Sequence, residues 1–442
     1  MKKKNTFPKG GIHPRGNKQL SAHAAIRNAV ISSTSIIPLQ QHIGSPPECL
    51  VQAGDAVKEG MLLAKGTGFI SSNIHSPVPG EVKEIRDIFL ANGMRSPAVV
   101  VELEGEFDAL GKKQVKQEWQ DLTGKELLGL ITENGIVGLG GATFPSAVKL
   151  TIPKQKKVEA FVINGVECEP YLTADYRLML EKTQEIVEGI RIIHKILKPE
   201  KVYFAIELNK PDAIEIVGNS LKELDFPAEV VPLQVKYPQG DEKQVLKAVL
   251  DREVPSGGLP MEIGAVVSNV GTVFAVYEAV VLRKPLIERI VTVSGKAIKN
   301  PANLKARIGT PIGSLIEECG GFTSVPEKVI VGGPMMGFTA ADLDIPVTKG
   351  TSGILALTRK EIKEGKTTHC LECGRCITVC PMGLSPTLLY KLIDHGLYEE
   401  ALEEGLMDCK ECGCCGFTCP AHIHLVQAMK LGKFMAKKRK SK

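Results

Sequence analysis

The chain has 442 residues, room for about three domains, and 43% hydrophobic residues, enough for ordinary globular cores. Its formal net charge of +5 gathers at the two ends, in Met1-Lys2-Lys3-Lys4 and Lys437-Lys438-Arg439-Lys440-Ser441-Lys442. No basic stripe with interleaved aromatics accompanies these runs, which argues against nucleic-acid binding. They read as solvated tails that could touch an anionic membrane surface.

The basic start leads into Pro8, Gly10 and Gly11 rather than an apolar stretch, so no secretory signal is expected and a reducing cytoplasm is. After an N-terminal extension over residues 1–34, residues 35–119 read as all-β. Gly54-Asp55 is expected to turn a hairpin between short apolar runs, and Ser76-Pro77-Val78-Pro79-Gly80 to turn a second. The pattern resembles the barrel-sandwich fold of lipoyl and biotin carriers, without a modifiable lysine in its hairpin; Lys65 is the nearest and lacks that context. A docking or scaffold module is the expectation.

Residues 120–290 alternate strands and helices, which predicts a doubly wound parallel sheet. Val158–Ile163, Val202–Ile206, Val230–Leu233 and Ala265–Ser268 read as strands, the third at an edge because Pro232 interrupts it. Met179–Leu197 reads as one amphipathic helix. The longest apolar stretch, Ile263–Leu282, is broken by Ser268, Asn269, Gly271 and Glu278, and so reads as strand, turn and helix rather than a membrane span. Residues 291–345 suggest a small α+β unit of β-grasp type ending in Gly332-Gly333-Pro334-Met335-Met336-Gly337. From 346 to 431 the chain is expected to turn helical around two cysteine runs, with Ser385–Gly405 a helical hairpin with polar faces, before a basic tail over 432–442.

Those runs are Cys370-x2-Cys373-x2-Cys376-x3-Cys380-Pro381 and Cys409-x2-Cys412-x2-Cys415-x3-Cys419-Pro420. The spacing is that of two-cluster bacterial ferredoxins, in which the fourth cysteine of each run ligates the other cluster. Cys370, Cys373, Cys376 and Cys419 are thus assigned to one [4Fe–4S] cluster, and Cys409, Cys412, Cys415 and Cys380 to the other. Structural zinc rarely shows a third cysteine at the next two-residue step, and disulfides need an oxidising compartment. Cys414 breaks the spacing and reads as a spare thiol; Cys49, Cys168 and Cys319 read as small buried hydrophobes.

Val137-Gly138-Leu139-Gly140-Gly141-Ala142-Thr143-Phe144-Pro145 is a glycine-rich loop before a helix carrying Lys149. Amides freed by glycine and a following helix N-terminus suit a phosphate, although such loops are as often plain tight turns, and G-x-G-x-x-G is absent. Three further segments accompany it: Asn164-Gly165-Val166-Glu167-Cys168-Glu169-Pro170, Tyr237-Pro238-Gln239-Gly240-Asp241-Glu242 and Val267-Ser268-Asn269-Val270-Gly271-Thr272. In order and spacing the four resemble the NADH-binding flavoprotein subunit of respiratory complex I. The resemblance implies FMN contacts at Gly138, Gly140, Gly141, Lys149, Asn164, Glu167, Gly240, Asp241, Ser268, Asn269 and Thr272. It places Phe144, Glu169 and Glu242 toward NADH, the two carboxylates disfavouring a 2′-phosphate. The chain departs from that family at Val166, where an Asp is usual, and at Gly271, where a Glu is usual.

The order of modules, with Gly10-Gly11-Ile12-His13-Pro14 and Ser72-Asn73-Ile74-His75-Ser76-Pro77, resembles the RnfC family of the Rnf membrane complex over about residues 7–432. His13 and His75 themselves read as packing or turn residues. This resemblance implies a peripheral NAD(H)-oxidoreducing subunit without a membrane span, on the cytoplasmic side of the cell membrane. FMN and two [4Fe–4S] clusters would pass electrons between ferredoxin and NAD(H) while partner subunits move Na+ or H+. A soluble flavo-iron–sulfur reductase for a cytoplasmic partner uses the same domains, and a cluster-only relay on a structural flavin fold is the non-enzymatic alternative.

Overall fold

The computed structural model describes residues 5–440 except 109, 113, 154, 363 and 364, so Met1–Lys4 and the final Ser441-Lys442 of the basic runs lie outside the described residues. The N-terminal β module is two small sheets facing each other. One orders Thr34–Pro38, Arg95–Leu103, Gly80–Phe89 and Ala56–Val57; the other orders Glu48–Cys49, Leu62–Lys65 and Ile74–His75. Alternate residues of both point inward, with Ile37, Leu63, Ile74, Val82, Val99 and Val101 closing the core. Gly54-Asp55 does turn the chain, but not as a hairpin. The strands on either side of it belong to opposite sheets, Glu48–Cys49 pairing with Leu62–Lys65 and Ala56–Val57 with Gly80–Phe89. A turn that switches sheets leaves the same local signature as a hairpin turn.

The central domain is a four-stranded parallel sheet in the order Ala228–Leu233, Lys201–Glu207, Ala160–Asn164, Ala265–Asn269. Side chains alternate between two faces. Phe161, Ile163, Val202 and Phe204 meet the helices Gly124–Glu133, Thr183–Leu197 and Val270–Val281, while Ala160, Val162, Ala205 and Val267 meet the helix Glu242–Leu250. Pro232 lies on the edge strand as its missing N–H requires. The single helix expected over Met179–Leu197 is two, Ala174–Glu181 and Thr183–Leu197, because Lys182 leaves helical geometry at φ −132°, ψ 31°. Strand Ala265–Asn269 runs straight into helix Val270–Val281 with Asn269 as its cap, without a turn between. Among the described residues no helix is long and apolar enough to cross a membrane.

The α+β unit is built on a six-stranded sheet ordered Ile26–Asn28, Ala302–Arg307, Glu288–Ser294, Gly353–Leu357, Lys328–Val331, Phe338–Thr339, with helix Ile312–Glu318 packed on it. Two of its strands come from outside 291–345. The expectation that the chain turns helical from 346 fails at Gly353–Leu357, whose five residues are all buried in a central strand. A continuous apolar run is the pattern of a strand covered on both faces.

In the C-terminal domain the helices Pro386–Asp394 and Tyr398–Glu403 pack with Leu425–Lys440 around Leu389, Ile393, Ala401, Leu406 and Met429. The hairpin expected to have polar faces therefore buries one of them. The basic tail expected from 432 is instead the second half of that last helix, reaching Lys440.

Candidate redox sites

In the central sheet the chain builds outward from Ala160–Asn164 through Lys201–Glu207 to Ala228–Leu233, then returns to add Ala265–Asn269 on the other side. The strand order reverses between Ala160–Asn164 and Ala265–Asn269, and a crevice at the carboxyl ends of such strands is where open α/β sheets bind ligands. Asn164 and Asn269 stand in register at that edge.

The glycine loop closes over this crevice. A Val137–Pro145 bridge and the Gly138 N–H to Phe144 carbonyl bond (2.8 Å) shape it. Leu139 is held at both ends: its N–H donates to Thr272 Oγ1 (2.9 Å) and its carbonyl accepts from Arg289 (3.4 Å). Gly140, Gly141 and Ala142 are left exposed at the tip. A Cβ on Gly140 would press to 3.2 Å from the Asn269 side chain, whereas one on Gly141 would meet nothing. Behind the loop the short helix Ser146–Leu150 carries Lys149, whose ammonium pairs with Glu242.

Asn269 accepts from Gly271 N–H (2.9 Å) and donates to Asp175 (2.7 Å). Asn164 donates to the Gly240 carbonyl (2.8 Å) and accepts from Val166 N–H (3.2 Å), which ties the segments at 164 and 240 together. Ser268 is buried in the strand beneath. Open glycine amides, a nearby ammonium and two oriented carboxamides at the switch point fit a phosphate-bearing flavin.

Three of the expected carboxylates face backbone amides instead. Glu167, at φ 47°, accepts from Asp175 and Tyr176 N–H (2.7 and 3.3 Å) at the start of helix Ala174–Glu181. Asp241 caps helix Glu242–Leu250 through Lys243 and Gln244 N–H (3.1 and 3.3 Å), and burial pushes its carboxyl up. Glu169 lies under Gly333 and accepts from Met335 and Met336 N–H (both 3.0 Å), with Tyr237 Oη at 3.4 Å. Desolvation raises it to about 7 against the pull of those donors. Phe144 is half-buried on the loop and Glu242 stays with Lys149.

The departures have structural counterparts. Val166 is fully buried in the apolar core beside Gly240. At Gly271 a carboxylate arrives from another helix: Asp175 Oδ1 lies 3.6 Å, and the Arg289 guanidinium 3.8 Å, from where a Cβ would stand. Burial, then the charge of Glu167, push Asp175 up to about 6, while Asn269 and Arg289 pull the other way. Sequence reasoning missed Asp175, although its place in the first turn of a helix just after the Glu167 segment was a usable signal.

The eight run cysteines line two cavities. One is walled by Cys380, Cys409, Cys412 and Cys415, the other by Cys370, Cys373, Cys376 and Cys419. Each set thus takes one member from the opposite run. Among the described residues no three ligand side chains converge on a single ion; thiols spread around a cavity fit a multi-iron cluster better than zinc. Both loops use the same turn, with Glu372 and Gly374 at φ 53° and 68° and Glu411 and Gly413 at φ 54° and 82°. It aims the N–H of Glu372 at Cys370 sulfur and that of Glu411 at Cys409 sulfur, and further along the first run Leu384 N–H donates to Cys380, each at 3.4 Å. Such bonds tune cluster potential. Cys414 also borders the first cavity, but its Sγ turns to the Tyr237 carbonyl at 3.9 Å.

The two cavities differ in surroundings. That of Cys380, Cys409, Cys412 and Cys415 abuts the central domain: Tyr237 Oη donates to the Cys412 carbonyl (2.8 Å), and Gln244 Nε2 to the Pro381 carbonyl (3.4 Å). The other opens outward, with Cys373 and Leu371 exposed on its rim. Elsewhere Cys319 is fully buried, Cys168 accepts from Gly240 N–H (3.3 Å) and is pushed far up by burial, and Cys49 lies in its strand. His13 faces the Val235 carbonyl (3.0 Å), and burial and Lys349 lower the His75 ring to about 3.

A switch-point crevice under a glycine loop, packed against a domain with two cysteine-lined cavities, defines an iron–sulfur flavoprotein. Residues 131–278 match the family described as the Nuo51 FMN-binding domain, 6–106 the RnfC barrel sandwich hybrid domain, 290–339 the SLBB domain and 362–420 the 4Fe-4S dicluster domain. The RnfC subunit of the proton-translocating ferredoxin:NAD(+) oxidoreductase complex of Clostridium ljungdahlii is 48% identical over 396 residues, 90% of this chain and 86% of that one. Its counterpart in the Na(+)-translocating ferredoxin:NAD(+) oxidoreductase complex of Acetobacterium woodii is 42% identical over 99% of both chains. That of the ion-translocating oxidoreductase complex of Rhodobacter capsulatus is 42% identical over 98% of this chain and 84% of its own. The chain belongs to the RnfC family of ion-translocating oxidoreductase complex subunits.

Proposed function

We infer that the chain is the peripheral NAD(H)-handling subunit of a ferredoxin:NAD+ oxidoreductase complex, on the cytoplasmic side of the membrane, whose partner subunits couple electron flow to Na+ or H+ movement. FMN, when bound, exchanges a hydride with NAD(H) and single electrons with iron–sulfur clusters, which a nicotinamide cannot do. The amides of Gly140 and Gly141 and the Lys149 ammonium hold its phosphate, while the Gly138 N–H stays on the Phe144 carbonyl and shapes the loop. Asn164, Asn269 and Thr272 orient its polar edge, with Asp175 holding Asn269. Phe144 offers the nicotinamide an apolar face, and Glu242 faces the ribose. Cys380, Cys409, Cys412 and Cys415 hold the cluster nearer the flavin; Cys370, Cys373, Cys376 and Cys419 hold the outer one, which meets the partner.

The contact of Tyr237 and Gln244 with the Cys412 and Pro381 carbonyls carries this reading, because it packs the inner cysteine cavity against the segment whose Gly240 carbonyl accepts from Asn164 at the flavin crevice. An anaerobic NADH titration of the protein reconstituted with FMN and iron–sulfur clusters, followed by absorbance and EPR, tests it. Flavin bleaching followed by a reduced-cluster signal is expected; clusters left oxidised by NADH in FMN-loaded protein would sink it. Co-purification with membranes separates this reading from a free-standing reductase.

A further inference from the structure

The Gly10-Gly11-Ile12 segment has no part in either redox site, yet it lies between them. Residues 5–12 run along the 232–239 segment: Gln234 N–H donates to Asn5 O (3.0 Å), Lys236 Nζ to Phe7 O (3.0 Å), and Ile12 and Tyr237 exchange two backbone bonds of 2.9 Å. Phe7 is fully buried there, beneath the Lys236 ammonium. At the same point the segment grips the cysteine domain, since Gly11 N–H donates to the Val379 carbonyl (2.9 Å). Gly10 presses so close that a Cβ would stand 2.4 Å from the carbonyl oxygen of Cys380. On Gly11 a Cβ would stand 2.9 Å from the Tyr237 carbonyl. Both residues have positive φ, 58° and 83°, where glycine alone is unstrained.

We propose that this N-terminal strap is a positioning element that sets the spacing between the flavin crevice and the inner cluster. One side is hydrogen-bonded to Tyr237, which closes the crevice domain, and the other to the residue before the cluster ligand Cys380. The two electrons of one hydride would leave a bound flavin one at a time to the inner cluster, the first moving on to the outer cluster, and the proton would go to solvent; the strap acts on the step from flavin to inner cluster alone. The proposal rests on the function inferred above, which fails separately if the unaltered protein shows no NADH-driven cluster reduction.

The test is anaerobic stopped-flow on the full-length holoprotein, comparing Gly10→Ala and Gly11→Ala with Gly93→Ala. Gly93 has a similar φ of 80° but nothing within 4 Å of its would-be Cβ, so it controls for backbone strain alone. Flavin reduction by NADH should keep its rate in all three. Cluster reduction should slow on the order of tenfold in the two strap variants, as small misplacements of reacting groups do, and not in Gly93→Ala. Iron content and the EPR signal of the inner cluster, measured on the same samples, show whether the cluster is retained. Because Gly11 does not touch the ligand Cys380, Gly11→Ala remains decisive where Gly10→Ala loses iron. Unchanged cluster reduction in Gly11→Ala with full iron, or equal slowing in Gly93→Ala, would overturn the proposal.

Discussion

Asp175 is the residue on which the crevice turns. Its carboxylate accepts from Asn269 and faces the buried Arg289, whose own ionisation burial lowers to about 10. Arg289 in turn holds the Leu139 carbonyl of the glycine loop. Replacing Asp175 by Asn keeps the shape and removes the charge. Arg289 then lacks its counter-charge, and Asn269 can lose its acceptor to an amide facing the wrong way. A charge-assisted hydrogen bond contributes roughly 1.5–3 kcal/mol, so Asp175→Asn should weaken FMN affinity by about tenfold or more, read by quenching of flavin fluorescence. Placing the carboxylate back from the other side, as Gly271→Glu in the same variant, should recover part of the loss. An unchanged FMN affinity in the single variant would remove Asp175 from the site. Nothing in the local sequence announces this pairing, because Asp175 and Gly271 are brought together by the packing of two separate helices on one sheet.

At the scale of elements, the two cysteine loops are copies of one turn whose fourth ligands are exchanged. Each run's fourth cysteine sits beyond a short helix, Arg375–Thr378 or Cys414–Thr418, which carries it away from its own loop and into the other cavity. Cys380→Ser should therefore remove the cluster of the second run, and Cys419→Ser that of the first, each losing about half of the iron. The two losses differ in consequence. NADH should still reduce the inner cluster in Cys419→Ser, whereas in Cys380→Ser electron delivery to the outer cluster should collapse, as EPR after rapid mixing with NADH would show. Identical behaviour of the two variants would refute the inner and outer assignment. The strand Gly353–Leu357 teaches the opposite lesson. Its apolar run is as plain in the sequence as the cysteines, but it lies past a long loop from its sheet, and only its partners Glu288–Ser294 and Lys328–Val331 reveal where it belongs.

Across the whole molecule, one buried ammonium ties three modules together. Lys349, on the loop between the strands of the six-stranded sheet, donates to the Asn73 carbonyl of the β module and the Gly135 carbonyl of the central domain (both 2.7 Å). Burial lowers it from 10.5 to about 7, with no carboxylate among the described residues to offset the desolvation. Its neighbours His42 and His75 are themselves lowered, by burial first and by Lys349. A base depressed on folding penalises the folded state wherever the unfolded chain holds the proton. The penalty is complete below about pH 7 and disappears as pH rises from there to about 10.5. Denaturation midpoints at pH 7 and 9.5 should show the native protein gaining on Lys349→Met by roughly 3 kcal/mol over that interval, at 1.36 kcal/mol per unit. A pH-independent difference would mean that the ammonium stays charged in the folded protein.

What the sequence determined by itself is whatever is written in short-range spacing. The gaps of the cysteine runs, the glycine loop before Lys149 and the edge-strand Pro232 each depend on residues a few positions apart, so their geometry is local. The tertiary structure decided what depends on packing between distant segments. It put Asp175 beside Gly271 and set the carboxylates of Glu167 and Glu169 on backbone amides. It also recruited Ile26–Asn28 and Gly353–Leu357 into one sheet, turned the basic tail into a helix, and laid the N-terminal strap between the flavin crevice and Cys380. Burial and desolvation fix these arrangements, and both are properties of the assembled core rather than of any stretch of chain.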